Sequence, residues 1–228
     1  MFDLHGYLPL ILKGMLLTVE VAVLSLLIAI VLGLIGAVAK LSRSRVAQWG
    51  AGAYTTVIRG VPDLVLMILI FFGGQILVND IGDRLGWDYV DVSPFAAGVL
   101  TIGFIFGAYL TETFRGGIMA VSRGEIEAGY AYGMTPTQVF LRITMPAMVR
   151  HALPGFSNNW LVLAKTTALV SVIGLQDMVF LAGQAGLATR QPFTFYFLVA
   201  ILFLAITGVS DMGLRWLERR YSVGVRKA

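Results

Sequence analysis

Residues 122–146 read SRGEIEAGYAYGMTPTQVFLRITMP, and they have the pattern of two short water-facing helices joined by a turn. Ser122 and Glu125 show the spacing of a capping box, in which each side chain bonds a backbone amide that the start of a helix leaves free. Gly133 stands where a left-handed residue would end that helix, since glycine adopts positive φ without steric cost. The pattern predicts a first helix that begins at Ser122 and ends near Gly133.

A second helix start follows directly after Gly133. Thr135 suits the N-cap, Pro136 the first helical position and Gln138 the reciprocal cap. Pro146 is expected to close this helix, because proline lacks the backbone donor that would continue it. The apolar stripe of the second helix consists of Val139, Phe140 and Ile143. A plain capped connector between membrane spans is the alternative interpretation of the whole stretch.

The rest of the chain is strongly apolar. Of its 228 residues, 57% are hydrophobic and 13% are charged, whereas soluble domains carry about a quarter charged residues. The mean hydropathy is +0.82. These values predict an integral membrane protein and exclude an ordinary soluble domain. The sequence shows no internal repeat and no low-complexity linker, so we expect a single domain over residues 1–228 that contains the segment 122–146.

Five apolar segments meet or approach the roughly 20 residues that a membrane-spanning helix needs. They cover residues 14–39, 56–78, 94–112, 154–175 and 193–214. The first apolar run is too long for a cleaved signal peptide, so it is expected to be an uncleaved anchor. The stretch 46–60 mixes aromatic and small residues and is expected along the membrane interface. The predicted fold is therefore all-α, with five transmembrane helices and a cytoplasmic helix-turn-helix.

The basic residues are unevenly distributed over the connections between these spans. Thirteen of the seventeen fall on one side and three on the other, while Lys165 lies within a span. The thirteen are Lys40, Arg43, Arg45, Arg59, Arg115, Arg123, Arg142, Arg150, Arg215, Arg219, Arg220, Arg226 and Lys227. Because cytoplasmic loops carry an excess of Lys and Arg, we expect the N-terminus outside and both residues 122–146 and the C-terminus in the cytoplasm. The net charge of +4 thus reflects orientation in a lipid bilayer and not a nucleic-acid partner.

Two spans contain small residues at four-residue spacing, which lets membrane helices approach closely. These residues are Ser25, Ala29, Gly33 and Ala37 in the first span and Gly103, Gly107 and Thr111 in the third. The rows are compatible with close packing inside the chain and with contact to a dimer partner.

Ionisable residues at membrane depth cost about 2.5–3.5 kcal/mol each, so each should face protein or water. Three local ion pairs are predicted, namely Arg59 with Asp63, Glu112 with Arg115, and Asp211 with Arg215. Arg59 and Asp63 are also candidates for a substrate path. Glu20 has no local partner and is expected to line an outward cavity.

Lys165 lies near the centre of the fourth span, without a carboxylate within one turn. On a continuous α-helix, Asn158, Lys165 and Gln176 would differ by about 20° in azimuth and form one polar stripe. The residues beside this stripe are Asn159, Thr166 and Asp177. Such a stripe lines either a transport pathway or a hydrogen-bonded seam between helices.

The motifs of common enzymes are missing from the sequence. Lys165 and Thr166 form the only Lys-Thr pair, and no glycine loop that would cradle phosphates precedes them. The histidines His5 and His151 show no metal-ligand spacing, and there are no cysteines. Neither G-x-S-x-G nor H-E-x-x-H occurs. We therefore expect no enzyme, no bound metal and no cofactor in this chain.

The opening stretch resembles the EAA---G---------I-LP signature of the membrane subunits of ABC importers. The matching residues are Glu127, Ala128, Gly129, Gly133, Ile143 and Pro146. Gly129 replaces the second alanine of the signature, and Met145 replaces its leucine. Supporting stretches are RGVP (59–62), YLTETFRGGI (109–118), LPGFSNNW (153–160), KTTALVSVIGLQD (165–177) and LERRYSVG (217–224). Together they make the chain similar to the permeases of polar amino acid importers, in particular those for histidine, lysine, arginine and ornithine or for octopine and nopaline.

The resemblance implies a bacterial inner-membrane permease that pairs with a second, similar permease subunit, so the pair is expected to be a heterodimer. It also implies two ATPase subunits, which hold ATP and Mg, and a periplasmic amino acid-binding protein. Residues 122–146 would dock in a groove of an ATPase subunit. Glu127 would pair with a basic group there or stabilise the helix start, and the apolar residues Val139, Phe140 and Ile143 would be buried against the ATPase.

Two other classes of function compete with this interpretation. An ion-coupled carrier or channel would transport without an ATPase partner, and an assembly subunit would bind partners without lining a pathway. The substrate-path candidates are Glu20, Arg59, Asp63, Asn158, Lys165, Gln176 and Asp177. Lys165 could hold the carboxylate of an amino acid, or the site could lie mainly in the paired subunit.

Overall fold

The computed structural model of the chain describes Leu4 and residues 6–221, and the regular elements in this part are all helical. The helices are α1 (Leu8–Leu41), α2 (Arg45–Gly60), α3 (Asp63–Leu85), α4 (Pro94–Met119), α5 (Arg123–Ala131), α6 (Pro136–Val139), α7 (Met145–Thr166), α8 (Met178–Thr189) and α9 (Pro192–Tyr221). A π-helical segment (Phe140–Thr144) joins α6 to α7, and a 3₁₀ segment (Thr167–Ile173) follows α7. His5 and the basic residues Arg226 and Lys227 lie outside the described residues, as do the last three residues of LERRYSVG.

Among the described residues, four helices are long and apolar enough to cross a membrane by themselves: α1, α3, α4 and α9. A fifth crossing is available if the run Pro136–Ile173 and the helix Met178–Thr189, which meet at a bend of 54°, count as one broken span. The prediction of an all-α protein with five spans is confirmed if this broken span is counted as the fifth.

The starts of the second and fourth spans differ from the prediction. The second span begins at Asp63 and not at residue 56, because Pro62 separates it from α2 and the preceding Val61 is extended (φ −109°, ψ 138°). The fourth begins at Met145 and loses its α-helical geometry after Thr166. The stretch predicted to lie along the interface forms the separate helix α2, which is not among the candidate spans.

The core lies mainly between α1 and α4, where the rows of small residues meet. A β-carbon on Gly33 would lie 2.7 Å from Leu110 Cβ, and one on Gly103 would lie 2.7 Å from Ile28 Cγ2. Both glycines therefore let the two helices approach more closely than any larger residue would allow. The interpretation as packing within the chain is confirmed.

A smaller apolar cluster joins the start of α1 to α8 and α9. A β-carbon on Gly14 would lie 2.8 Å from the backbone nitrogen of Met178, so α1 passes directly over the first turn of α8. Most side chains of α3 and α9 are exposed at the surface of the chain. These two helices accordingly supply much of the surface that lipid or another subunit can cover.

Candidate functional site

Residues 122–146 form the predicted coupling segment. Its first helix, α5, begins at Arg123 with Ser122 as its N-cap. The Ser122 side chain makes no capping hydrogen bond, so the predicted capping box with Glu125 is wrong. The backbone amide of Glu125 instead donates to the Ser122 carbonyl at 3.2 Å, as in an ordinary first turn. Glu125 still lies in that turn, where a carboxylate interacts favourably with the positive end of the helix.

The turn after α5 is a Schellman motif centred on Gly133, which has φ 76°. The amide of Gly133 donates to the Tyr130 carbonyl at 2.9 Å, and the amide of Met134 donates to the Gly129 carbonyl at 3.1 Å. The predicted left-handed glycine at the end of the first helix is confirmed. Its two hydrogen bonds fix the direction in which the chain leaves α5.

The predicted capping box at the second helix is confirmed as well. The amide of Gln138 donates to Thr135 Oγ1 at 3.3 Å, and the amide of Thr135 donates to Gln138 Oε1 at 2.9 Å. Pro136 occupies the first helical position, where its missing N–H has no cost.

Pro146 does not end the second helix, contrary to the prediction. Helical backbone continues from α6 through the π-helical segment into α7, and the amide of Met145 donates to the Phe140 carbonyl five residues earlier. A proline inside an α-helix would clash with the carbonyl four residues before it, and the wider π turn relieves that clash. The second helix of the segment and the fourth span are therefore one continuous helical element.

Gly129 lies at the contact between the two helices of the segment. A β-carbon on this glycine would lie 2.6 Å from Ile143 Cδ1 and 3.1 Å from Val139 Cγ2. Val139 is buried and Ile143 is half-buried. The apolar stripe of Val139, Phe140 and Ile143 was expected to be buried against another subunit. Two of these residues, Val139 and Ile143, instead pack against the first helix of the segment.

Phe140, the third residue of the stripe, is 41% exposed. It lines an apolar groove together with Val38, Phe114 and Met145, beside the cytoplasmic ends predicted for the spans. The outward surface of α5 is formed instead by Glu127, Ala128 and two exposed tyrosines. These are Tyr130 and Tyr132, of which Tyr132 is 84% exposed. Sequence reasoning missed them, although two aromatic residues in an otherwise polar helix are a detectable signal of a binding surface.

Asn158 and Lys165 lie two turns apart on the exposed face of α7. Within the described residues neither side chain makes a hydrogen bond or an ion pair. Asn159, beside them, points to the bundle and donates to Thr113 Oγ1 at 2.9 Å. The structure therefore places Asn158 and Lys165 together, on a surface that must meet water or protein in the membrane.

Gln176 is not part of this stripe. The predicted stripe was calculated for one unbroken α-helix. The backbone instead changes to 3₁₀ geometry after Thr166 and turns at Gly174, which has φ 88°. Gln176 instead lines a crevice of about 370 Å³ together with Lys13 and Glu20 of α1. Glu20 accordingly lines a cavity, and the outward direction of this cavity stays a prediction.

Asp177 is fully buried and caps α8. Its Oδ1 accepts a hydrogen bond from the amide of Phe180 at 2.9 Å. Its Oδ2 has no hydrogen-bond partner among the described residues. An Asp before an apolar run is a known N-cap signal, and sequence reasoning missed it here by treating the span as unbroken.

Arg59 and Asp63 do not form the predicted ion pair within the described residues. The Arg59 guanidinium instead lies over the ring of Tyr109, 5.4 Å from its centroid. Residues four apart approach each other only on a continuous helix, and Pro62 separates the two helices here.

The other two predicted pairs are confirmed. Arg115 NH2 lies 2.9 Å from Glu112 Oε2, and Arg215 Nε lies 2.7 Å from Asp211 Oδ2. Lys40 of α1 also donates to Glu112, so this carboxylate joins α1 to α4. Sequence spacing could not reveal Lys40, because it is far from Glu112 along the chain.

Three comparisons place the chain among known proteins. It is 52% identical to the histidine/lysine/arginine/ornithine transport system permease protein HisQ of Salmonella typhimurium, over 99% of both chains. It is 42% identical to the octopine transport system permease protein OccQ of Rhizobium meliloti, over 92% of this chain and 90% of the relative. The crystal structure of an amino acid ABC transporter with histidines contains a chain with 31% identity and a TM-score of 0.80, covering 94% of this chain and 95% of that one.

The sequence pattern of one family matches residues 8–223, which is nearly the whole chain. Those residues include α5, the Schellman turn and the helix that continues into the fourth span. The protein belongs to the family of inner membrane components of binding-protein-dependent transport systems.

Proposed function

We propose that this chain forms one half of the translocation pathway of an ATP-driven importer for cationic or polar amino acids. Full-length similarity to permease proteins of amino acid transport systems carries the proposal. The histidine, lysine, arginine and ornithine class is favoured, since it is the class in the name of the relative with 52% identity. An ion-coupled carrier or channel finds no support in these relationships.

The coupling role of residues 122–146 is supported by how rigidly they are built. The Schellman turn, the capping box at Thr135 and the contact of Gly129 with Ile143 leave few free torsions between the two short helices. The second helix continues into α7, which carries Asn158 and Lys165. A push on the segment would therefore move the polar face of the fourth span as a rigid body.

The ATPase subunits would contact the exposed surface of α5. Glu127 and Ala128 are the signature residues on that surface, and Tyr132 adds a large exposed ring. Aromatic residues of this kind are typical anchors of protein interfaces. In this proposal Gly129, Gly133, Ile143 and Pro146 shape the segment, and the exposed part of Phe140 outside the apolar groove contacts the ATPase.

The exposed face of α7 is the proposed wall of the pathway. The Lys165 ammonium would hold the carboxylate of the amino acid, and Asn158 would offer hydrogen bonds two turns away. Glu20 and Gln176 would lie at the entrance, in their crevice beside Lys13. Arg59, Asp63 and Asp177 stay candidates for the path.

The family and the charge distribution support the proposed assembly. A permease of a binding-protein-dependent importer works with ATPase subunits and a binding protein. We propose that the whole chain is one transmembrane domain, that ATP and Mg are held in the ATPase chains, and that a similar but distinct permease completes the pathway. The excess of Lys and Arg supports an external N-terminus and a cytoplasmic C-terminus.

Purification of the tagged chain in mild detergent tests the proposal. An ATPase and a second permease should co-purify, and arginine or histidine with the binding protein should stimulate ATP hydrolysis in proteoliposomes. Uptake without any ATPase would favour a carrier, and partner binding without uptake would favour an assembly subunit. Lys165→Ala should abolish uptake in an intact complex, whereas uptake at the wild-type rate would remove Lys165 from the pathway.

A further inference from the structure

A crevice of about 550 Å³ opens between α7 and α9, on the side of the bundle where α9 ends. Three arginines line it, namely Arg150 of α7 and Arg215 and Arg219 of α9. Asp211 and Glu218 of α9 lie among them. None of these residues belongs to the proposed coupling segment or to the polar face that carries Asn158 and Lys165.

Both carboxylates of the crevice already have partners. Arg215 Nε lies 2.7 Å from Asp211 Oδ2, and Ser157 Oγ donates to Glu218 Oε1 at 2.7 Å. A guanidinium has five N–H donors, so Arg215 retains several for a further acceptor. Arg150 has no ion pair or side-chain hydrogen bond within the described part of the chain. The crevice can therefore offer guanidinium donors to an external anion.

The position of the crevice along α9 matches the phosphate level of one leaflet. From Pro192 to Asp211 the helix rises about 29 Å, close to the hydrocarbon thickness of a bilayer. Arg215 and Arg219 follow one and two turns later. With the proposed orientation this is the cytoplasmic leaflet, whose surface carries anionic lipids.

A wholly apolar groove of about 570 Å³ adjoins the crevice, and Leu153 lines both. The groove follows α1 from Ile30 to Val38, a rise of about 12 Å along the helix. Val149 of α7 and Leu217 of α9 also line it, and they are the sequence neighbours of Arg150 and Glu218. An inorganic anion or an amino acid would fill only the charged crevice. A phospholipid has a phosphate for the crevice and an acyl chain for the groove.

We propose that the crevice and the groove together bind an anionic phospholipid. Its phosphate accepts hydrogen bonds from Arg150 and Arg215, and one acyl chain lies in the groove beside Leu153. The bond between Arg215 and Asp211 orients the guanidinium, and the apolar groove distinguishes the lipid from free phosphate. The assignment to the cytoplasmic leaflet rests on the proposed orientation, but the lipid class does not.

Lipid retention by the purified complex tests the site. The full transporter is reconstituted in nanodiscs of mixed phosphatidylglycerol and phosphatidylcholine, extracted with detergent and analysed by native mass spectrometry. Wild type should retain phosphatidylglycerol preferentially. Arg150→Gln and Arg215→Gln should each lower that retention about ten-fold, because each removes charge-assisted hydrogen bonds to the bound phosphate. Arg45→Gln, at an exposed arginine outside the crevice, is the matched control and should leave it unchanged.

Val149→Trp tests the groove without altering charge, and it should lower phosphatidylglycerol retention while the complex elutes as wild type. Equal retention of both lipids, or unchanged retention in the Arg150 and Arg215 double variant, would overturn the proposal. So would displacement of the bound anion by inorganic phosphate at matched ionic strength, which would identify a simple anion site. Loss of the second permease subunit on Val149→Trp, with lipid unchanged, would show that protein covers the groove. These measurements do not depend on transport, so the lipid site and the proposed function can fail separately.

Discussion

Ile143 Cδ1 lies 2.6 Å from the position that a β-carbon on Gly129 would occupy. Gly129 belongs to the first helix of the coupling segment and Ile143 to the π-helical segment after the second. The contact therefore sets how closely the two helices approach. For one methyl group, the end of the Ile143 side chain would have to move and Val139 Cγ2, 3.1 Å away, would have to shift slightly, whereas a larger residue would displace both side chains.

We expect Gly129→Leu to uncouple ATP hydrolysis from uptake. Overpacking of this contact should cost about 1–3 kcal/mol and separate the two helices. Gly129→Ala should retain coupling, since the flexible end of Ile143 can shift. Gly124→Leu is the control, because a β-carbon at Gly124 meets only Ser122 Oγ at 3.7 Å. The ratio of substrate imported to ATP hydrolysed in proteoliposomes measures the effect, and an unchanged ratio for Gly129→Leu would contradict it.

The effect of replacing Gly133 on coupling should depend on whether the new residue tolerates a positive φ, and not on the size of its side chain. Its φ of 76° costs an ordinary L-residue about 1–2 kcal/mol, and a β-carbon there meets no atom within 4 Å. Gly133→Val should therefore lower the import-to-hydrolysis ratio, whereas Gly133→Asn, which tolerates the left-handed region, should stay near wild type. Equal behaviour of the two variants would show that the turn is not maintained in the working transporter.

The local chemistry of the coupling segment was predictable from sequence, but its contacts were not. Thr135 and Gln138 are three residues apart and cap the helix through each other's backbone amides, so their spacing identified the capping box. Gly133 ends the first helix through its own backbone conformation, so its position in the sequence was sufficient. Ser122 has the same spacing to Glu125 but makes no capping bond, since the first turn already satisfies the amide of Glu125 through the Ser122 carbonyl.

The failures beyond the segment share one cause. The pairing of Arg59 with Asp63 and the stripe through Gln176 both assumed that helical geometry continues where it stops. The break at Pro62 and the turn at Gly174 each change the azimuth of every later side chain. Conversely, Pro146 was treated as an end where a π turn lets the helix continue. The prediction of the site was limited by interruptions of helical geometry that the sequence did not reveal, and not by errors in helix propensity.

Glu112→Gln should destabilise the chain much more than Asp211→Asn. Glu112 is half-buried and bonds both Lys40 and Arg115, so its loss leaves two partly buried cations without their carboxylate. We expect a cost of about 1–3 kcal/mol. The exposed pair of Asp211 and Arg215 should contribute at most about 1 kcal/mol. Thermal unfolding in detergent compares the two variants, and equal shifts would argue against the bridge between α1 and α4.

Asp177→Asn and Asp177→Ala should have opposite effects on stability. Asparagine keeps an oxygen that can accept from the Phe180 amide, and it replaces the unpartnered carboxylate oxygen with a neutral amide group, which removes the cost of a buried charge. Alanine removes the cap, at a cost of about 0.5–2 kcal/mol. Thermal unfolding of both variants in detergent measures this. If Asp177→Asn lost uptake while its stability was retained, the carboxylate would have a role in transport beyond capping.

Pro146→Ala should alter the coupling segment through the backbone, because the Pro146 side chain is exposed. The new backbone amide could donate to the Arg142 carbonyl, so the π turn could close to an α-helix. A π turn holds one residue more than an α turn, so its closure places that residue in the regular helix and rotates everything before it by about 100° relative to α7. The surface of Glu127 and Tyr132 would then turn away from its present direction.

We therefore expect Pro146→Ala to lower the ratio of import to hydrolysis while leaving the complex assembled and thermally at least as stable. Slower amide exchange at residues 140–146 would report closure of the turn. The control is Pro136→Ala, because Pro136 occupies a first helical position where no backbone donor is needed. Slower exchange with an unchanged ratio would show that the direction of the segment does not govern coupling, since the helix would have rotated without consequence.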